Sequence, residues 1–155
     1  MKRRTFLGIA CCSPLLGATE AASYKVRYDG GSISSLKSGD DVKLFIDADK
    51  FRIAKSKEDV ASVTAASVTE ISYGQDVHRR IGAAIGIGVF TLGIGALMAL
   101  TKSKKHFIGV TWADGDKKGG FAMQCDKNEY RGILAGLQGI TGKKAVDTDT
   151  MNVKN

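Results

Sequence analysis

An uncharged, apolar run of 20 residues, 81–100, constrains the fold of this chain most, and its sequence is IGAAIGIGVFTLGIGALMAL. Basic residues border the run on both sides, namely Arg79, Arg80, Lys102, Lys104 and Lys105. A run of this length is long enough to cross a bilayer as a helix. It lies, however, between segments that both alternate like β-strands. A single crossing would therefore divide one small sheet between the two sides of a membrane.

We therefore expect both ends of the run to leave the same face of the domain, as a re-entrant or interfacial helical hairpin that bends near residues 90–93. Small residues let helices pack closely, either as hairpin arms or between two copies of the chain. The glycines expected to do so are Gly82, Gly86, Gly88, Gly93 and Gly95. The bordering basic residues would contact lipid headgroups, where each contributes about 1 kcal/mol near an anionic surface. A full span and a run buried in protein stay open.

The first 21 residues have the layout of a signal peptide, with a basic start, an apolar stretch and small residues before a cleavage point. Cleavage after Ala21 or Ser23 fits this pattern. Arg3 and Arg4 also fit a twin-arginine export signal, and a lipoprotein signal at one of the leader cysteines is an alternative. We predict export to the cell envelope, on the periplasmic face. A cytoplasmic protein with an uncleaved N-terminal anchor is the alternative.

Period-two alternation of apolar and polar residues predicts seven short strands. These strands cover residues 24–28, 32–36, 42–46, 51–53, 67–73, 106–112 and 121–125. Turn-forming residues separate several of them, for example at 29–31 and 47–49. Residues 61–66 are rich in Val, Thr and Ala, and their pattern does not decide between strand and loop.

Beyond residue 125 the pattern changes to that of a helix. Asp126 and Glu129 have the spacing of a capping box. An apolar stripe with helical spacing follows, formed by Tyr130, Ile133, Leu134, Leu137 and Ile140. Gly139 or Gly142 would end this helix. The tail, 143–155, is predicted to be flexible.

Several short motifs in the second half of the chain carry a family resemblance. They are Ser72-Tyr73-Gly74, His78-Arg79-Arg80, Ser103-Lys104-Lys105-His106, residues 127–131 and residues 141–144. With these motifs and its meander of seven strands closed by a helix, the chain resembles bacterial pleckstrin-homology-like and GRAM-like proteins, uncharacterised in function, that have a glycine-rich apolar insert. The resemblance implies an α+β, mainly β fold, a seven-stranded partly open barrel with a C-terminal amphipathic helix. This domain would cover 24–142 and be interrupted by a membrane-associated insert at 78–105.

The resemblance implies a fold and no activity. Eukaryotic members of this superfold often bind phosphoinositides through basic residues around the loop between their first two strands. The corresponding loop of this chain, Asp29-Gly30-Gly31, is short and acidic. That binding site is therefore not carried over.

No catalytic constellation is visible in the sequence. The two histidines, His78 and His106, each neighbour the basic residues that border the apolar run, and no His/Cys spacing suits a metal. Cys125 is the one cysteine outside the leader, so we expect a buried residue without a disulfide. Residues 136–144 lack the glycine and hydroxyl positions of a phosphate loop. We expect no catalytic residues, no metal and no cofactor.

The net charge of +7 is mild and the aromatic content is 7%, a combination that argues against nucleic-acid binding. We expect a non-enzymatic, exported binding or scaffolding domain that is attached to membrane lipid with anionic headgroups. A homo-oligomer or an envelope protein could be a further partner. The alternatives are a small hydrolase or transferase acting on envelope lipid, and a structural oligomer assembled through the glycine faces.

Overall fold

The computed structural model describes residues 21–75, 77–85 and 105–149. In this part of the chain there are eight strands, two α-helices and a short 3-10 turn at Ala65–Ser67. The strands are β1 (Ala22–Gly31), β2 (Asp41–Ile46), β3 (Lys50–Lys55), β4 (Glu58–Thr64), β5 (Val68–Tyr73), β6 (His106–Asp114), β7 (Lys117–Cys125) and β8 (Val146–Asp147). The helices are α1 (Val77–Ile85) and α2 (Tyr130–Thr141).

The strands form one mixed sheet in the order β4-β3-β2-β1-β7-β6-β5-β8. Two antiparallel meanders, β1 to β4 and β5 to β7, make up most of it. The antiparallel ladder between β1 and β7 joins the two meanders, with Val26 opposite Cys125. The short strand β8 pairs in parallel with β5.

This sheet bends around a single core. Phe51 on β3 and Phe121 on β7 are three strands apart in the sheet order, which would separate them by about 14 Å in a flat sheet. Their ring centroids are only 6.0 Å apart, so the sheet folds back on itself. Inward-facing residues such as Leu44 and Ile71 fill the space between. The mainly β architecture with a C-terminal helix confirms that level of the predicted fold class.

Helix α2 packs against the core through one face. Ile133 and Leu137 are fully buried, as the apolar stripe predicts. The helix ends at Gly142, which has a left-handed φ of 68° and donates its amide to the Gln138 carbonyl. Glycine adopts this conformation without the steric cost that a Cβ would add.

The predicted capping box forms only in part, because the reciprocal bond from Glu129 is absent. The N-cap residue of α2 is Glu129, and its side chain makes no capping hydrogen bond. Asp126 Oδ1 instead accepts the Asn128 amide at 2.9 Å, within the turn that precedes the helix. Aspartate favours this local turn, so the helix begins one turn later than the box requires.

Residues 29–36 also differ from the prediction. The expected turn at 29–31 is the end of β1, where the register with β7 shifts between Tyr28 and Gly30 as a β-bulge. The expected strand at 32–36 is a loop, in which the Leu36 amide donates to the Ile33 carbonyl at 3.2 Å. Both of these side chains are buried. They anchor a loop to the core instead of alternating along a strand.

Two ambiguous or polar segments are strands. Residues 61–66 complete β4 and form the 3-10 turn. The prediction of a flexible tail is wrong at β8. The Thr148 amide and hydroxyl both donate to the Tyr73 carbonyl, at 2.7 and 3.0 Å, and hold this part of the tail against β5. Gly74, with a φ of +127°, allows this close approach, since a Cβ there would lie 2.3 Å from Thr148 Oγ1.

Helix α1 packs against the outer face of the sheet. Phe107 and Gly109 alternate along β6 with residues of the main core and therefore face the other side. Val77 and Ile81 of α1 are fully buried there in a second apolar cluster with Phe107 and Ala122. Gly109 makes room for them, because a Cβ at this position would lie 2.6 Å from Ile81 Cδ1. The first residue of the apolar run thus belongs to the folded body, which corrects the predicted insert at its N-terminal end.

Candidate functional site

The chain enters α1 and, after residues 86–104, resumes at Lys105 at neighbouring points of the folded body. Gln75 Nε2 donates to the Lys105 carbonyl at 2.6 Å, and the Gly74 amide donates to the Phe107 carbonyl at 3.1 Å. β5 and β6 are also paired along their length. A bilayer cannot pass between paired strands, so the two ends emerge from one body. Residues 86–100 of the predicted hairpin, including its bend at 90–93, lie outside the described residues.

Two of the residues predicted to contact the membrane surface have described side chains. Arg80 Nε and Nη2 donate to the two carboxylate oxygens of Glu70, at 2.9 and 2.8 Å. This bidentate pair holds the pKa of Glu70 below its ordinary value and compensates the charge of Arg80. Lys105 is half-buried. The side chains of Arg79, Lys102 and Lys104 lie outside the described part of the chain.

Of the glycines predicted to pack helices, Gly82 lies in α1. The other four, Gly86, Gly88, Gly93 and Gly95, fall within 86–104 and so outside the described residues. Over 21–75, 77–85 and 105–149, no helix is long and apolar enough to span a membrane.

A basic groove with a volume of about 1100 Å³ crosses the outer face of the sheet. Its lining comes from β1, β2 and β3, from the turn after β3, and from the chain around the start of β6 and the end of β7. We call this surface the basic groove. Its charged side chains are Lys25, Arg27, Asp41, Lys43, Arg52, Lys57, Asp59, Lys105, Asp126 and Lys127.

The acidic side chains of the basic groove are already engaged. Asp41 lies 3.1 Å from Arg27 Nε, Asp59 lies 2.8 Å from Arg52 Nη1, and Asp126 accepts a backbone amide. The five lysines that line the groove have no acidic partner among the described residues; they are Lys25, Lys43, Lys57, Lys105 and Lys127. The groove therefore carries uncompensated positive charge in a concave surface, which concentrates the field on an anion.

Two of these lysines are direct cross-strand neighbours. Lys25 on β1 is opposite Lys43 on β2, and both side chains are exposed on the outer face. Like charges placed directly opposite destabilise a sheet. The register thus places two lysines side by side on the outer face at some cost in stability.

A stack of three rings lies beside the basic groove, because His106 belongs to both. The rings of His106 and Tyr130 are nearly parallel with centroids 4.0 Å apart, and Tyr73 joins His106 Nδ1 by a hydrogen bond of 2.7 Å. Burial raises the pKa of Tyr73 to about 12. The hydrogen bond from Arg131 lowers the pKa of Tyr130. The stack fastens α2 to β5 and β6 at the rim of the groove.

His78 and Cys125, like His106 in the ring stack, are side chains packed within the fold. His78 Nε2 lies 2.8 Å from Asp29 Oδ2, and its side chain is 11% exposed. Cys125 is a free, buried thiol, and burial raises its pKa to about 12, as the expectation of a buried small residue requires. Within the described ranges, no group of three or more His, Cys, Asp or Glu side chains is placed to hold a metal ion.

Comparison with known proteins identifies the fold. No protein-family model and no curated protein matches the sequence. Among solved structures, the C-terminal phosphotyrosine interaction domain of APBB2 from mouse is similar, with a TM-score of 0.53 and 12% sequence identity over 88% of this chain and 97% of that one. Phosphotyrosine interaction domains have a pleckstrin-homology-like fold, and the chain shares that fold.

Lys105 stands out in the sequence because it borders the apolar run, whereas the other lysines of the basic groove do not stand out. Lys25 and Lys43 each stand between apolar residues of an alternating strand, which marks them only as outward-facing. Their convergence depends on the register between β1 and β2, and the contribution of residues 124–127 depends on the pairing of β1 with β7. The periodicity of a sequence does not show which strands pair or in which register.

Proposed function

We propose that this protein is a non-enzymatic binding domain held at a membrane surface, with the basic groove turned toward anionic headgroups. The observation that carries the proposal is the position of Lys105. This residue lines the basic groove and follows the last residue of the apolar run, Leu100, by five positions. Five residues of extended chain reach at most about 17 Å. If the run is in lipid, the groove lies close to the headgroups.

The charge of the basic groove supports this orientation. Each lysine near an anionic surface contributes about 1 kcal/mol to binding, and the groove holds five lysines without an acidic partner among the described residues. The name of the mouse neighbour refers to phosphotyrosine interaction, and a phosphate-bearing ligand would also suit this groove. We further propose that the leader exports the chain, so that the domain works on the periplasmic face of the envelope membrane.

Vesicle flotation tests the attachment. The full chain and a variant in which residues 86–100 are replaced by a Gly-Ser linker of equal length are mixed with vesicles of neutral lipid, with and without anionic lipid. The variant keeps α1, whose residues Val77 and Ile81 belong to the folded body. We expect the full chain to float with both vesicles and the linker variant to remain at the bottom with neutral vesicles.

Equal flotation of the two proteins, or no flotation of the full chain, would contradict the proposal. Lipid-ester turnover by the purified protein would favour the hydrolase alternative. Loss of cross-linked oligomers in Gly88→Leu with Gly95→Leu would favour the structural oligomer. Protease access in spheroplasts tests the side of the membrane, since a periplasmic domain is digested without lysis of the cell.

A further inference from the structure

We propose that Lys25 and Lys43 form a clamp for one phosphomonoester group, a specificity that rests on the proposed function and goes beyond attraction to an anionic surface. The group would come from a lipid headgroup with a terminal phosphate or from a free phosphate ester. Both sources present the same dianionic group to the two ammonium groups.

The position of the pair in the sheet supports a ligand. β2 is an inner strand, and Lys43 has a partner on each side, Lys25 on β1 and Ala54 on β3. Lysines that protect a sheet from edge-to-edge aggregation lie on edge strands, so this role does not explain Lys43. Lys25 directly precedes the β1–β7 ladder, which begins at Val26. Their repulsion is relieved when an anion lies between them.

The neighbours of the pair leave it free to bind. On the same face of the β1–β2 ladder the next pair is Arg27 with Asp41, and these two side chains bind each other at 3.1 Å. The residue opposite Lys43 on β3 is Ala54, which has no long side chain to fill the groove. The two ammonium groups therefore face open groove, with no carboxylate of their own.

The number of charges selects the ligand class. A phosphomonoester carries a charge of about −1.5 to −2 near neutral pH, which matches two ammonium groups, whereas a phosphodiester carries a single negative charge. Directly opposed residues have Cβ atoms about 4.5–5.5 Å apart, so both flexible lysine side chains reach one phosphate. Lysine binds phosphate as a point charge with several donors.

The test compares two anionic lipids of matched surface charge, phosphatidic acid as the phosphomonoester and phosphatidylglycerol as the phosphodiester. The full chain is titrated with vesicles of each, and the lipid concentration at half-maximal binding is measured. We expect at least about fivefold tighter binding to phosphatidic acid, the effect of about one lysine charge. In Lys25→Gln with Lys43→Gln the ratio should fall to one. Because opposed like charges are removed, the same variant should also resist urea at least as well as the wild type.

The matched control is Lys117→Gln with Lys118→Gln, which removes the same charge from the other end of β7. Lys118 and the groove residue Gln124 are six positions apart on one strand, about 20 Å along it. This control should keep the preference for phosphatidic acid. A preference that survives in the Lys25 and Lys43 variant, is lost in the control, or is missing from the wild type would overturn the clamp.

Competition by glycerol 3-phosphate separates the two sources. If it displaces the protein from phosphatidic acid, the clamp accepts any phosphomonoester, and if it does not, the clamp takes the lipid-borne group; both results support the clamp when the variants behave as stated. If the full chain attaches to neither vesicle, the proposed membrane attachment fails. Binding of glycerol 3-phosphate, followed by NMR, then tests the clamp alone, and equal spectra for the wild type and the variant would overturn it.

Discussion

Replacement of Gly109 by alanine tests whether α1 is part of the folded body. A Cβ at this position would lie 2.4 Å from Val77 Cγ1 and 2.6 Å from Ile81 Cδ1, closer than non-bonded carbon atoms approach. Either α1 moves outward or the sheet deforms, and overpacking of this kind costs about 1–3 kcal/mol. We expect Gly109→Ala to lower the free energy of unfolding by that amount.

The same substitution at Gly139 is the matched control. Gly139 lies in α2, and a Cβ there would meet nothing within 4 Å. Alanine in a helix is favoured over glycine by about 0.5–1 kcal/mol. Gly139→Ala should therefore raise the free energy of unfolding, in the opposite direction to Gly109→Ala.

A second substitution tests one of the clashing atoms, Ile81 Cδ1. Ile81→Val removes Cδ1, the atom of Ile81 that would overlap with the alanine Cβ at position 109. Alone, this change should cost about 0.5–1.5 kcal/mol, as is usual for a buried isoleucine. In the Gly109→Ala background the same change should cost less or restore stability, because it relieves part of the overlap. Such a departure from additivity is expected only if the two residues are coupled, as residues in contact are.

Urea unfolding of the wild type and the four variants, as full chains in mild detergent, measures these changes. The single tryptophan, Trp112, lies on β6 of the same sheet, so its fluorescence reports unfolding of the body, and far-UV circular dichroism provides an independent signal. If Gly139→Ala is stabilised while Gly109→Ala unfolds like the wild type, α1 is not packed on β6. Strict additivity of Gly109→Ala and Ile81→Val would refute the assigned contact.

Three further predictions follow from single contacts. Arg80 lowers the pKa of Glu70 below its ordinary value of 4.5. The ion pair therefore stabilises the folded state above that pH, and this stabilisation is lost as the pH falls through the lowered pKa of the folded state. Glu70→Gln should make the free energy of unfolding depend less on pH in this acid range. Burial raises the pKa of Cys125 to about 12, so mass spectrometry at pH 8 should find this thiol alkylated only after unfolding. Gly142→Ala, at a φ of 68°, should cost about 1 kcal/mol in thermal or urea unfolding.

Local patterns predicted six of the eight strands in the described part of the chain, together with α2, and did not predict β4 or β8. The alternation of Val42, Leu44 and Ile46 matches the buried positions of β2, and the helical stripe places Ile133 and Leu137 in the core. The strand prediction was wrong at 32–36, where buried apolar residues anchor a loop. Side chains can be buried without the hydrogen bonds of a strand. The strand order, which sets the shape of the sheet, came only from the structure.

The candidate site was predicted in part. The basic border of the apolar run was visible, but Arg80 is compensated by Glu70, a partner ten positions away that no charge count reveals. The basic groove gathers its lysines from segments separated by as many as a hundred positions, since the β1–β7 ladder brings residues near 25 beside residues near 125. Such a surface is a property of sheet pairing, and one sequence without its topology does not contain it.

The β1–β7 ladder also sets an order of events during synthesis. Val26 pairs with Cys125. The β1–β7 ladder therefore cannot form until residue 125 has been translated, which is after residues 81–100 have been made. Pairing of such distant positions is slow even in a finished chain. Residues 81–100 are therefore made before this ladder can form, and any contact that they make during synthesis precedes closure of the body.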